Sequence, residues 1–155
     1  MIEAAIFDYG RTLHDPETDQ LFPGCEAILI SLKDSGIKLA LVSRGQDTDK
    51  RRQDFERFNL PEFFQVLDII GEGAKKEFSH ILEKLGVKPE NTIVVGDRVK
   101  SEILEGNKMG TITIWFRNGK FADELPEIPD EQPDYTIRSL DEILSIIKQL
   151  DQVVL

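Results

Sequence analysis

The stretch that decides the fold is residues 5–13, AIFDYGRTL. The run from Ala4 to Phe7 is apolar with no polar alternation, as expected of a strand covered on both faces. Asp8 then ends the run with a carboxylate, Gly10 follows two residues later, and Thr12 two after that. An acid delivered by a buried strand needs a reason, and the rest of the chain supplies one.

Outward from this stretch, strand and helix patterns alternate. Pro23-Gly24 opens a helix whose apolar residues Cys25, Ile28, Leu29 and Leu32 recur at helical spacing and which Gly36 ends. Ile37–Val42 (IKLALV) is a second buried strand, followed by a charged helix over Asp47–Phe58. Val66–Ile70 is a third strand. Phe78, Ile81, Leu82 and Leu85 mark a helix stopped by Gly86, and Thr92–Val95 is a fourth strand leading to Gly96-Asp97. A helix through Ile103 and Leu104 runs to Gly110, and Thr111–Phe116 is a fifth strand. Residues 117–134, rich in Pro and acid, read as a surface loop that borders the site or an interface. Tyr135–Ile137 reads as an edge strand, and Leu140, Ile143, Leu144, Ile147 and Leu150 as an amphipathic helix. Strands separated by helices predict an α/β fold with a central parallel sheet and helices on both faces.

The chain has 155 residues, the length of one domain, and a formal net charge of −10. That charge repels phosphate backbones and anionic lipid, so neither a nucleic-acid nor a membrane partner is expected. Cys25 is the only cysteine, which excludes a disulfide framework and a cysteine metal cluster. No stretch has the apolar length of a membrane span, and the N-terminus has no basic-then-apolar leader, so a cytoplasmic setting is expected.

In open α/β sheets, ligands bind at the carboxyl ends of the strands. Asp8, Ser43 and Asp97 each end a predicted strand on that edge. Two carboxylates brought together repel and raise one another's pKa unless a cation intervenes. Mg²⁺ resolves the conflict, because one or two carboxylates plus phosphate oxygens and water complete its shell. Ser43 offers a hydroxyl to a phosphoryl oxygen, and Lys75 or Lys76, shortly after the third strand, offers a positive charge. Carboxylate nucleophile, metal, hydroxyl and lysine are the equipment of phosphoryl transfer.

These residues give the chain its resemblance to the haloacid dehalogenase (HAD) superfamily. FDYGRTL is similar to the family's D-x-D-x-T motif, LALVS to its strand ending in Ser or Thr, KKEF to its lysine ahead of a helix, and VVGDRVKSE to its G-D strand end with a second acid. The resemblance spans residues 3–117 with the motifs in order. It implies a three-layer Rossmann-like fold in a single domain over residues 1–155, and a hydrolase of the phosphatase type. It implies that Asp8 forms an aspartyl-phosphate, and that Asp8, the carbonyl of Gly10, Asp97 and Glu102 serve a Mg²⁺ cofactor. Ser43 with Lys75 or Lys76 would hold the transferring group. Thr12 would shape the turn after Asp8 and adjoin the substrate. Arg11 and Arg44 stand where small or amide residues are common in the family, and either grip substrate phosphate or face solvent.

Gly10 departs from the family pattern. Most phosphatases of the family carry an Asp there as general acid and base, help worth roughly 10²–10⁴-fold in rate. The sequence therefore leaves two readings open: a Mg²⁺-dependent phosphatase, or a catalytically weak HAD-like protein that binds a phosphorylated ligand or protein partner. Dehalogenation is disfavoured, because it has no use for acids at Asp97 and Glu102. The gaps at 13–22 and 44–74 leave no room for a sizeable cap domain, so an open site is expected. Such a site suits a bulky phosphorylated substrate, or a second copy in a homo-oligomer serving as the lid.

Overall fold

The computed structural model describes residues 1–74 and 77–152. Its centre is a six-stranded parallel sheet in the order β5-β4-β1-β6-β7-β8, where β1 is Ala4–Asp8, β4 Lys38–Arg44, β5 Val66–Ile70, β6 Thr92–Gly96, β7 Ile112–Phe116 and β8 Tyr135–Ile137. Two further strands, β2 (His14–Asp15) and β3 (Gln20–Leu21), form a small antiparallel hairpin outside this sheet. The sequence pattern gave no sign of that hairpin, since two-residue strands have no periodicity to read.

Alternate strand residues face opposite layers. Ala5, Phe7, Leu39, Leu41, Ile93, Val95 and Ile114 pack against Cys25, Ile28, Leu29 and Leu32 of α1 (Cys25–Asp34), Phe55 of α2 (Thr48–Arg57), and Ile143, Ile146 and Ile147 of α5 (Glu142–Gln152). Ala4, Ile6, Ala40, Val42 and Val94 face Ile81, Leu82 and Leu85 of α3 (Ser79–Leu85). α4 (Leu104–Met109) follows a π-helical turn over Val99–Ile103. It lies close to β6 and β7 because Gly106 has no side chain: a Cβ there would sit 2.8 Å from Thr113 Cγ2. This is a three-layer α/β arrangement.

The topology places the site. The chain leaves β1 for β4 and β5 on one side, then returns to β6 on the other. A crevice opens where the winding reverses, at the carboxyl end of β1. Register sets what lines it. Asp8 pairs with Val42 and Phe7 with Val95, so Ser43 and Asp97 each project one residue beyond Asp8 on the flanking chains. Among the described residues, no helix is long and apolar enough to cross a membrane.

Candidate active site

Each acid at the crevice arrives by a different route. Asp8 is the last residue of β1, Asp97 follows β6, and Glu102 is carried by the π-helical turn. All three are buried, and one carboxylate oxygen from each lies within 4.8 Å of the others. π-Helical turns occur often at functional sites, and here the wider turn carries Glu102 back toward β6. Gly96 makes the approach possible, since a Cβ on it would stand 2.6 Å from Glu102 Cβ. Three hard oxygen donors at this separation fit a divalent cation such as Mg²⁺.

The turn after Asp8 is tightly bonded. Its bridge between Gly10 and His14 uses the carbonyl of Tyr9, which accepts from His14 N–H at 3.0 Å, and the N–H of Arg11, which donates to His14 at 2.8 Å. The bridge leaves Gly10's own carbonyl out, so that oxygen can serve a metal. Thr12 is fully buried, and its hydroxyl donates to Asp8 Oδ2 at 3.4 Å. Arg11 has a left-handed backbone, φ 62°, and its guanidinium lies 5.7 Å from the centre of the Phe121 ring. The neighbouring Tyr9 turns the other way, into the core against Phe55. Burial pushes its phenol up to about 12, so it stays neutral.

On the β4 side, Ser43 is buried near the strand end, and its hydroxyl makes a long 3.5 Å contact with the Arg44 carbonyl. Arg44 donates to the carbonyl of Ala74 at 2.8 Å, anchoring the segment that leads to the two lysines. Lys75 and Lys76 themselves lie outside the described residues. The structure thus brings Asp8, Asp97 and Glu102 together, with Thr12 behind Asp8, Ser43 and Arg44 at the end of the flanking strand β4, and Arg11 in the turn after Asp8.

Three supports were not legible in the sequence as site residues. Gly96 is one. Trp115, buried near the end of β7, donates its indole N–H to the Asp97 carbonyl at 2.9 Å. The third is Glu124, in the acidic loop after β7. It accepts from Arg98 at 2.7 Å and from the Lys100 N–H at 3.2 Å, clamping the chain on either side of Val99. Lys100 also holds Glu127 at 2.6 Å, so this loop borders the site. The only available signal was charge: acids at 124 and 127 opposite bases at 98 and 100.

The hairpin is held by its own His14 and by Arg57 of α2. Arg57 grips Asp19 with two hydrogen bonds of 2.8 and 3.0 Å, and His14 reaches the same carboxylate at 2.9 Å. The Arg57 hydrogen bond, then that of His14, hold the Asp19 carboxyl well below the usual carboxylate range.

Comparison with known proteins agrees with this geometry. A family profile for haloacid dehalogenase-like hydrolases matches residues 3–110. Glyceraldehyde 3-phosphate phosphatase of Methanopyrus kandleri is 32% identical over 157 residues, covering 97% of this chain and 65% of that protein. The Pyrococcus furiosus protein of the same name is 34% identical over 132 residues, 82% of this chain and 54% of its own length. The chain therefore spans between half and two thirds of the length of these relatives. Among solved structures, an uncharacterized protein from Listeria monocytogenes serotype 4b superposes with a TM-score of 0.79 at 20% identity, covering 98% of this chain and 100% of that one. A HAD phosphatase from Thermococcus onnurineus superposes with 0.72 at 19% identity, covering 94% and 98%; at such identities the likeness is one of fold. With the profile matching most of the chain and the acids converging where the motifs put them, the protein belongs to the haloacid dehalogenase-like hydrolases.

Proposed function

We propose that the protein is a Mg²⁺-dependent phosphatase that hydrolyses a phosphate monoester through an aspartyl-phosphate on Asp8. The observation that carries this reading is the convergence of Asp8, Asp97 and Glu102, buried, at the carboxyl ends of β1 and β6. The phosphatase names of the relatives support it.

In this mechanism a carboxylate oxygen of Asp8 attacks phosphorus, the bond to the ester oxygen breaks, and its electron pair stays on that oxygen, which takes a proton from solvent to leave as the alcohol. Water then attacks phosphorus, releasing phosphate and restoring the Asp8 carboxylate. Thr12, bonded to Asp8 from behind, orients the nucleophile. Ser43 donates its hydroxyl to a phosphoryl oxygen, with Lys75 or Lys76 supplying positive charge. Asp8, Asp97, Glu102 and the Gly10 carbonyl would hold Mg²⁺, which neutralises charge on the phosphoryl group. Gly10 cannot protonate the departing oxygen, so esters of acidic alcohols are favoured over alkyl esters.

The site is open in this reading. The β2–β3 hairpin turns within residues 16–19, and α2 and β5 fill most of the gap between Ser43 and the lysines. A bulky phosphorylated substrate fits such a site, as does a lid supplied by a second copy. One observation favours a second reading, in which the protein chiefly binds a phosphorylated ligand. Gly10 carries no side chain where the family's general acid and base stands, and among the described residues, its chain neighbours aside, nothing lies within 4 Å of where that side chain would begin.

Turnover of p-nitrophenyl phosphate with and without Mg²⁺, with Asp8→Asn as control, decides between them. Release that requires both Mg²⁺ and Asp8 is expected. This leaving group needs little acid assistance, so release no faster than the Asp8→Asn background would leave the binding reading standing.

A further inference from the structure

We infer that Arg11 and Lys120 form a second anion-binding subsite beside the phosphoryl site, so that the substrate is a phosphate monoester carrying a second acidic group. The inference rests on the phosphatase reading for the position of the phosphoryl group, and extends it to the substrate's other end.

A cavity of about 270 Å³ lies between the turn after Asp8 and the segment after β7, with Arg11, Asp15, Glu17, Asn118, Gly119 and Lys120 among its lining residues. Arg11 is built into it at a conformational cost. Its φ of 62° lies in the left-handed region, which glycine enters freely and long side chains rarely do. The backbone is held there from both sides. Arg11 N–H donates to the His14 carbonyl at 2.8 Å, and Asn118 Nδ2 donates to the Arg11 carbonyl at 3.1 Å. A glycine would satisfy the backbone more cheaply, so the side chain is what this position adds.

That side chain is poised and unspent. The Arg11 guanidinium lies 5.7 Å, and the Lys120 ammonium 5.3 Å, from the centre of the Phe121 ring, so both cations lie within cation–π range of one aromatic ring. Arg98 stacks on the same ring at 4.2 Å, but its guanidinium is occupied by Glu124. Among the described residues, neither Arg11 nor Lys120 makes an ion pair. The acids that share the cavity are directed elsewhere: Asp15 turns back to accept from the Glu17 N–H at 3.0 Å, and Glu17 is exposed. Arg11 and Lys120 thus bring two cations to one cavity at the rim of the site, in a chain of net charge −10.

Reach is suitable. Arg11 is three residues beyond Asp8, so their Cα atoms are at most about 11 Å apart. A substrate with a few carbons between its phosphoryl group and its second acid can span both. The guanidinium fork matches a carboxylate or a second phosphoryl group equally well, with Lys120 adding a point charge. This would separate the protein's substrate from glyceraldehyde 3-phosphate, the compound in its relatives' names, which has no second acid.

The test measures binding, independent of turnover, by calorimetry on the Asp8→Asn protein with Mg²⁺ present. Two matched pairs serve as probes: 2-phosphoglycolate against ethyl phosphate, and 4-(phosphonooxy)butyrate against butyl phosphate. At least one acid is expected to bind tenfold or more tightly than its alkyl partner. Adding Arg11→Gly, which suits the left-handed backbone, should bring that pair to within about twofold, and adding Lys120→Ala should narrow it partway. Equal affinities within both pairs would overturn the inference, as would a preference that survives both substitutions. The p-nitrophenyl phosphate assay judges the phosphatase reading separately, so failure of either is distinguishable from failure of the other.

Discussion

At Gly10 a single missing side chain sets what the site can do. Gly10 does not have a positive φ, and a Cβ there would meet nothing within 4 Å among the described residues, so backbone and space both accept a larger residue. Gly10→Asp should therefore fold and place a carboxyl group near the ester oxygen. Its effect depends on the leaving group. Turnover of an alkyl phosphate should rise by about 10²-fold, at the lower end of general acid–base assistance, while p-nitrophenyl phosphate changes little. The ratio of the two kcat/KM values is the measurement, and a ratio that stays constant would show that position 10 does not face the leaving group. The residues that flank Gly10 divide by how legible they were. Asp8 could be read because an apolar run delivers it, and Asp97 for the same reason. Arg11 could be read as a cation but not as a strained one, because its left-handed backbone is imposed by the bridge to His14 and by Asn118, more than a hundred residues away.

At the scale of elements, the decisive unit is β6 with the π-helical turn that follows it. Gly96 closes the strand and lets Glu102 fold back against it. Gly96→Ala would force a Cβ to within 2.6 Å of Glu102 Cβ, so either strand or turn must move. Overpacking of this kind costs about 1–3 kcal/mol. The unfolding midpoint in urea should fall accordingly, and Mg²⁺ affinity should fall with it, because Glu102 is displaced from Asp8 and Asp97. A loss of stability with metal affinity intact would place Glu102 outside the metal's shell. The strand and the acid were both visible in VVGDRVKSE, but the contact between Gly96 and Glu102 was not, since it depends on how wide the intervening turn is. The same limit applied elsewhere. α1 and β4 announced themselves by period and by capping glycine or buried run. The β2–β3 hairpin did not, because it is held by Arg57 and His14 on Asp19 rather than by a pattern of its own. The order of the strands about β1 was equally silent, since alternation predicts a parallel sheet without saying which strands are neighbours.

For the whole molecule, the proposal that the crevice holds Mg²⁺ predicts a stability that depends on metal. The chain carries a net charge of −10, and three of its acids converge in a buried crevice. A cation bound there favours the folded state alone, because unfolding scatters Asp8, Asp97 and Glu102 along the chain. At a Mg²⁺ concentration a hundredfold above its Kd, linkage adds about 2.7 kcal/mol. For a domain of this size that is on the order of 5–10 °C in Tm. General screening of so acidic a surface also stabilises, so the comparison must be made against NaCl at matched ionic strength. Mg²⁺ should raise Tm beyond the NaCl control, chelation should remove the increment, and Asp97→Asn should abolish most of it. Acid should remove it too. The ligands must be ionised to bind metal, so the increment should shrink as acid protonates them. Equal shifts with Mg²⁺ and NaCl would mean that the charge of the surface, and not the crevice, governs the response.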